Sequence, residues 1–297
     1  MNRLHNSLSR IALMALLLVV YSFCPYNLAW DLPTSKSAKS SDHVGTCRHA
    51  ASRTLHIGTL GLLPDMDFEL VEEGELKIGA TAEQVDPFDI EKPAHDVVIS
   101  EFYMMRTEVT QRLWRAVMGT NPSHFKGDLR PVEMVSWNDC DAFTEKLNLM
   151  KDQLLPPGME NWYFRLPTES EWEYAARGGQ KSRGYQYAGS DNIDEVAWYD
   201  GNSGKQTHNV GQKKPNELRL YDMSGNVWEW CMDWYSDYPF YGMTNPQGAM
   251  SGTSRMIRGG CAGAEGWSCR VARRACFGPD YRYQSFGFRL ALVTYVD

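Results

Sequence analysis

RGGCAGAEGWSCRVARRACFGPDYRYQSFGFRL, residues 258–290, opens on RGG and closes on GFRL, with no helical or strand rhythm between them. Arg258-Gly259-Gly260, Cys269-Arg270-Val271-Ala272, Arg274 and Gly287-Phe288-Arg289-Leu290 read as a frame. The residues between mix aromatics and arginines with small side chains. Tyrosine and tryptophan offer large contact area at low entropic cost, and small residues let a partner approach. The expected ligand-binding set is therefore Ala262, Gly263, Glu265, Trp267, Ser268, Arg273, Cys276, Phe277, Asp280, Tyr281, Tyr283 and Gln284, within a display segment of residues 262–286. The competing reading makes Trp267, Phe277 and Tyr283 core aromatics of a loop-rich fold. Arg255, Arg258, Arg270, Arg273, Arg274, Arg282 and Arg289 make the stretch basic in an acidic chain. Some are expected to pair with Glu169, Glu171 or Glu173 and others to meet an anionic ligand.

Upstream, the pattern predicts an α+β chain. FELVEEGELKIG (68–79) reads as a hairpin, and VVI and FYM as short strands. TQRLWRAVMG (110–119) reads as a helix capped by Thr110 and stopped by Gly119. Ser136 is expected to cap a second helix, with Phe143 and Leu147 on its inner face. TESE places Thr168 and Glu171 three apart, the spacing of a capping box. Beyond residue 180, short apolar runs are separated by Gly, Asn, Ser and Pro, so the second half is expected to be loop-rich.

The N-terminus reads as a targeting segment. Two arginines precede the apolar run IALMALLLVVY, which suits a signal peptide and is too short to span a membrane. It ends either in a loose lipoprotein box at Cys24, which would carry lipid and anchor the chain, or in a cleavage site after Ala29. The expected order is a signal at 1–29, a Ser/Lys/Ala-rich tether at 30–65 and one folded domain at 66–297. A net charge of −7 over 297 residues gives no basis for a nucleic-acid partner. The chain is expected to be exported to the cell envelope or surface, where disulfides are permitted; cysteines stand at 24, 47, 140, 231, 261, 269 and 276, with no zinc spacing. His95, His124 and His208 read as isolated surface or loop residues.

Five blocks occur in order: RTEVTQRLWRAVMG, PVEMVSWNDCDAF, RLPTESEWEYAARGG, LYDMSGNVWEWCMDWY and RGG…CRVA…GFRL. Together they closely resemble the formylglycine-generating enzyme, or sulfatase-modifying factor, family, across roughly residues 66–294. The resemblance implies a C-type-lectin-like α+β fold. It also implies a copper- and oxygen-dependent oxidation of a protein cysteine, with two cysteines five residues apart holding the metal as thiolates, as a soft cuprous ion requires. Aligned from Gly259-Gly260, the first of these positions is Ala264 and the second Cys269. The family's serine position is Cys261 and its asparagine position Ser285. The expected function is thus a non-catalytic, surface-displayed binder of an extracellular protein or other surface ligand. The alternative is an oxidase, or a related metal-dependent oxygenase, in which Cys269 acts with Cys261 or Cys276 replacing the missing thiolate. By the same match, calcium would be held by the side chains of Asp222 and Glu229 and the carbonyls of Gly225 and Val227; otherwise the two carboxylates bond their own loop. The C-terminal block is also similar to variable proteins of diversity-generating retroelements.

Overall fold

The computed structural model describes residues 54–57 and 63–294. The expected signal segment, Cys24 and most of the tether lie outside the described residues. In chain order the strands begin with β1 (Thr54–Ile57), β2 (Met66–Val71), β3 (Gly74–Ile78), β4 (His95–Ile99), β5 (Phe102–Met105), β6 (Trp162–Arg165) and β7 (Ala197–Trp198). They continue with β8 (Ser224–Gly225), β9 (Trp228–Trp234), β10 (Met243–Thr244), β11 (Arg255–Arg258), β12 (Arg274–Phe277), β13 (Phe286–Gly287) and β14 (Ala291–Thr294). The α-helices are α1 (Gln111–Met118), α2 (Trp137–Leu149), α3 (Lys151–Leu154), α4 (Glu169–Ala176) and α5 (Ile193–Val196).

β14 closes the fold. It lies between β5 and β6 in a five-stranded sheet of order β1-β2-β5-β14-β6, so the end of the domain is hydrogen-bonded into its beginning. A second sheet, β12-β11-β9-β13, carries the display segment. β11 runs antiparallel to β12 and β9, and β13 parallel to β9. Smaller sheets, β10-β4-β3 and β7-β8, flank these.

The helix caps follow the sequence. The Thr110 hydroxyl accepts from Leu113 N, and Gly119 ends α1 in the left-handed region. Ser136 with Asp139, and Thr168 with Glu171, form reciprocal capping boxes, each satisfying two backbone donors that a helix start leaves unpaired. Trp114 stacks on Phe143 at 5.3 Å, and Phe288 meets both edge-on, which fastens α1 and α2 to the GFRL frame. α4 is buried on every side, with Trp172, Tyr174 and Ala175 in a second apolar core beside Met104, Met256 and Ala291.

Three expectations are corrected. FELV and LKI do not pair with each other: β2 joins β1 and β5, whereas β3 joins β4. Glu72 and Glu73 thus carry the chain between two sheets rather than around a hairpin turn. Thr54–Ile57, assigned to the tether, is an edge strand on β2, so the domain starts before residue 66. His95 is buried against Tyr238, with ring centroids 4.5 Å apart, because β4 is an inner strand of its sheet.

Candidate functional site

The display segment is irregular, and its shape is held by buried arginines. Arg258 donates to the carbonyls of Val271, Ala272 and Arg273 at 2.8–3.0 Å and pairs with Glu173. Arg270 makes two bonds to Glu91, at 2.8 and 2.9 Å. Arg274 makes two to Glu169, both 2.7 Å, and also reaches the carbonyls of Ile90 and Ser236. Arg289 makes two to Glu229, both 2.7 Å. The planar guanidinium suits these forked contacts, and each charge is neutralised where water cannot reach it. The pairing expected for Glu169 and Glu173 is present. Glu171 pairs instead with Arg165, its neighbour across the α4 capping box.

This frame divides the expected ligand set. Ala262, Ser268 and Arg273 are only 3%, 4% and 5% exposed and support the face from below, so their assignment as direct ligand contacts is corrected. Gly263, Glu265, Trp267, Asp280 and Tyr283 are exposed; Cys276, Phe277, Tyr281 and Gln284 are half-buried. Two ring clusters result. Phe277, Tyr281 and Tyr283 form a stacked series, with centroids 5.2 and 6.4 Å apart, above Phe286. Asp280 accepts from Asn138, and Arg282 makes two bonds to Asp139, tying that cluster to α2. Trp267 lies instead against Phe88, with Arg273 beneath both rings. Phe88 had no signal in the sequence, since its loop is distant from the segment.

Beneath the face, the four positions of the expected metal site are legible. Gly260 has φ +76°, and an added Cβ would stand 2.6 Å from Ser268 O and 2.8 Å from Cys269 Sγ, so only glycine lets the two loops meet. The Cys261 sulfur is within hydrogen-bonding reach of the Gly263 and Ala264 amides and of the Ser285 and Trp228 side chains. The Cys269 thiol neighbours Cys261 and receives a hydrogen bond from its backbone N–H. Burial, with Cys261 and Asp200 nearby, pushes Cys269 well above the usual thiol range. Among the described residues, Cys140, Cys231, Cys261 and Cys269 are free thiols. Cys276 stands on β12 opposite Met256, packed against the second core. Ala264 contributes a methyl where a thiolate would be needed. Two thiolates five residues apart are therefore not available to copper, and the residues present do not fit that group.

The calcium set is also redistributed. Glu229 accepts both Arg289 bonds and a third, at 2.7 Å, from Trp172 Nε1, so it serves the core rather than standing as an open ligand. Asp222 accepts from Gly211 N through one oxygen, while its other oxygen is buried with no hydrogen-bond partner among the described residues. Burial raises its pKa to about 6. Glu108, which sequence reasoning missed, accepts from Asn226 Nδ2 and Val227 N and is pushed well above the carboxylate range by burial and by Asp222 and Glu229. Three buried carboxylates surround one guanidinium; Glu229 takes the cation, and burial favours the protonated form of Glu108. Of the two expected calcium-binding carboxylates, Glu229 is engaged within the protein and Asp222 keeps one oxygen without a partner among the described residues.

Residues 64–293 match the sulfatase-modifying factor enzyme 1-like domain. The chaperone protein LppX of Paenibacillus barcinonensis is 44% identical over 182 residues, covering 48% of this chain and 65% of that protein. A formylglycine-generating enzyme of Streptomyces coelicolor is 34% identical over 197 residues, covering 60% and 57%. The chain thus spans less than two thirds of the length of these relatives. Among solved structures, Treponema denticola variable protein 1 superposes with a TM-score of 0.69 and 32% identity, over 80% of this chain and 97% of that one. PvdO from Pseudomonas aeruginosa, at 24% identity and a TM-score of 0.66, shares the fold over 82% and 99%.

Proposed function

Because the chain belongs to the sulfatase-modifying factor enzyme 1-like domain family, its departures from the family's metal chemistry carry meaning, and we propose that it is a non-catalytic, exported binding protein. It presents the face built from residues 262–286 to an extracellular protein or other surface ligand. The carrying observation is Ala264 at one of the two positions where that chemistry needs a thiolate, with a fully buried Cys269 at the other, in a segment that also exposes aromatic rings. Of the two positions five residues apart that the family's chemistry needs as thiolates, only Cys269 carries a sulfur, and its titratable neighbours are Cys261 and Asp200 rather than a cation. The segment's surface offers Trp267 and Tyr283, 37% and 36% exposed, in two ring clusters. Rigid amphipathic rings of this kind supply binding energy at low ordering cost. The similarity to a variable protein and to a chaperone protein supports this reading. On this proposal the N-terminal signal delivers the chain to the envelope, with Cys24 as a lipid anchor. Calcium, held at Asp222 with the Gly225 and Val227 carbonyls, has an organising role only.

The test compares capture of envelope or secreted proteins by the immobilised chain and by a Trp267→Ala/Tyr281→Ala/Tyr283→Ala variant. Partners held by the first and released by the second are expected; retention of every partner by the variant refutes the proposal. Cys261 beside Cys269 favours one rival, a rebuilt thiol pair that binds copper and oxidises protein cysteine. Stoichiometric cuprous binding lost in Cys269→Ser, with oxygen uptake on a cysteine peptide, would establish that rival.

A further inference from the structure

The Trp267 end of the face extends outside the display segment. The Phe88 ring lies 5.2 Å from that of Trp267, tilted by 46°. The Arg273 guanidinium sits 4.3 Å from the first and 5.2 Å from the second, and faces the buried Glu91 at 3.7 Å. A cation beneath two rings holds them in place before any ligand arrives. Val85, three residues before Phe88 on the same loop, is 58% exposed and adds an aliphatic side chain to that loop's surface.

The charge around this patch is one-sided. Glu265 accepts from Trp267 Nε1 at 2.6 Å. Asp86 and Asp89 are exposed on the Phe88 loop. On the other flank, a Cβ added at Gly266 would stand 2.9 Å from Ile193 and 3.7 Å from Tyr199. The Tyr199 hydroxyl donates to Asp194 at 3.1 Å, and Asp200 N donates to Ala264 O at 3.0 Å. Two ammonium groups lie in the same region. Lys92 pairs with Asp89 at 3.1 Å, and Lys213 donates to the Asp194 carbonyl at 2.7 Å. Five carboxylates against two lysines, with Arg270 and Arg273 sharing the single carboxylate of Glu91 beneath, leave a surplus of two negative charges.

We propose that the Val85, Phe88 and Trp267 patch docks a cationic polypeptide segment, one with an apolar anchor beside lysine or arginine. The inference rests on the display reading and names the ligand class for one end of that face. An apolar side chain would cover the two rings and the Val85 side chain, while its basic neighbours reach Glu265 and Asp86. Opposite charge at the rim steers encounter and fixes register, whereas a phosphate-bearing partner would be repelled.

The experiment uses the full chain and three fluorescein-labelled synthetic peptides. They share one tryptophan and two leucines and differ in carrying lysines, glutamines or glutamates at the remaining charged positions. The lysine peptide is expected to bind about tenfold more tightly than the glutamine peptide, and the glutamate peptide not to bind. Phe88→Ala and the fold-neutral Glu265→Gln should each weaken the lysine peptide by about threefold or more, and Tyr283→Ala should not. Equal affinity for the lysine and glutamine peptides overturns the proposal, as does unchanged binding to Phe88→Ala and Glu265→Gln. If the lysine peptide ignores Phe88 while protein partners are still lost on changing Tyr281 and Tyr283, this inference alone falls. If no face variant releases any partner, the display reading falls with it.

Discussion

Arg258 and Arg282 belong to one segment, and each meets a carboxylate, yet they are opposites. Arg258 is wholly buried; three carbonyls and Glu173 surround it. Arg282 has a side chain 48% exposed and meets only Asp139 and its own loop. The difference separates what the fold requires from what its surface can exchange. A scaffold that fixes its irregular segment from beneath leaves the rings above free to differ without loss of shape. Arg258→Ala is therefore expected to have the largest effect of any change in the segment. It leaves Glu173 short of a counter-charge and three buried carbonyls without a donor, and should cost about 3–5 kcal/mol. Urea denaturation followed by circular dichroism measures it. A loss under about 1 kcal/mol would erase the distinction between frame and face.

A second contrast sharpens the first, because one buried acid in the frame has no cation of its own. Asp233 accepts from Glu169 N at 2.8 Å, and burial, reinforced by Glu169, raises its pKa to about 8. The folded chain thus binds a proton that the unfolded chain has released above the ordinary carboxylate value. Stability from this group is present below that value and declines as pH rises toward 8. Asp233→Asn keeps an acceptor for Glu169 N and removes the titration. The variant is expected to lose stability less steeply than the parent between about pH 4 and pH 8, with a difference of a few kcal/mol at the upper end. Parallel slopes in urea titrations across that range would count against a protonated Asp233.

Much of the frame was legible in the sequence because its signals are local. The Thr110, Ser136 and Thr168 caps declare themselves within four residues, and the stop at Gly119 is a single left-handed position. The five ordered blocks carried the lectin-like fold as a whole. What failed was non-local. β2 and β3 read as a hairpin because each alternates and EEGE looks like a turn, but pairing was decided by β5 and β4, which lie further along the chain. The same limit applies to the site. Glu229 stands where a calcium ligand would, and only its distance to Arg289 shows it occupied. Phe88 joins the face from nearly two hundred residues upstream, with no pattern to mark it. Ser268 and Arg273 looked like ligand residues by type, and their burial emerged only when the loop was folded onto Glu91 and Glu265.

The smallest expected effect tests the exchangeable side of the comparison. Arg282→Ala removes an exposed guanidinium whose charge water already screens, so the cost should stay below about 1 kcal/mol and shrink further in high salt. Its partner is not equivalent. Asp139 Oδ2 also accepts from Ser136 N, and the Ser136 hydroxyl accepts from Asp139 N, which together start α2. Asp139→Ala removes the ion pair and half of the capping box, and should cost about 1–2 kcal/mol. If the two variants lose the same stability in parallel urea titrations, the ion pair and not the cap ties the Tyr281–Tyr283 cluster to α2, and Arg282 belongs to the frame rather than to the face.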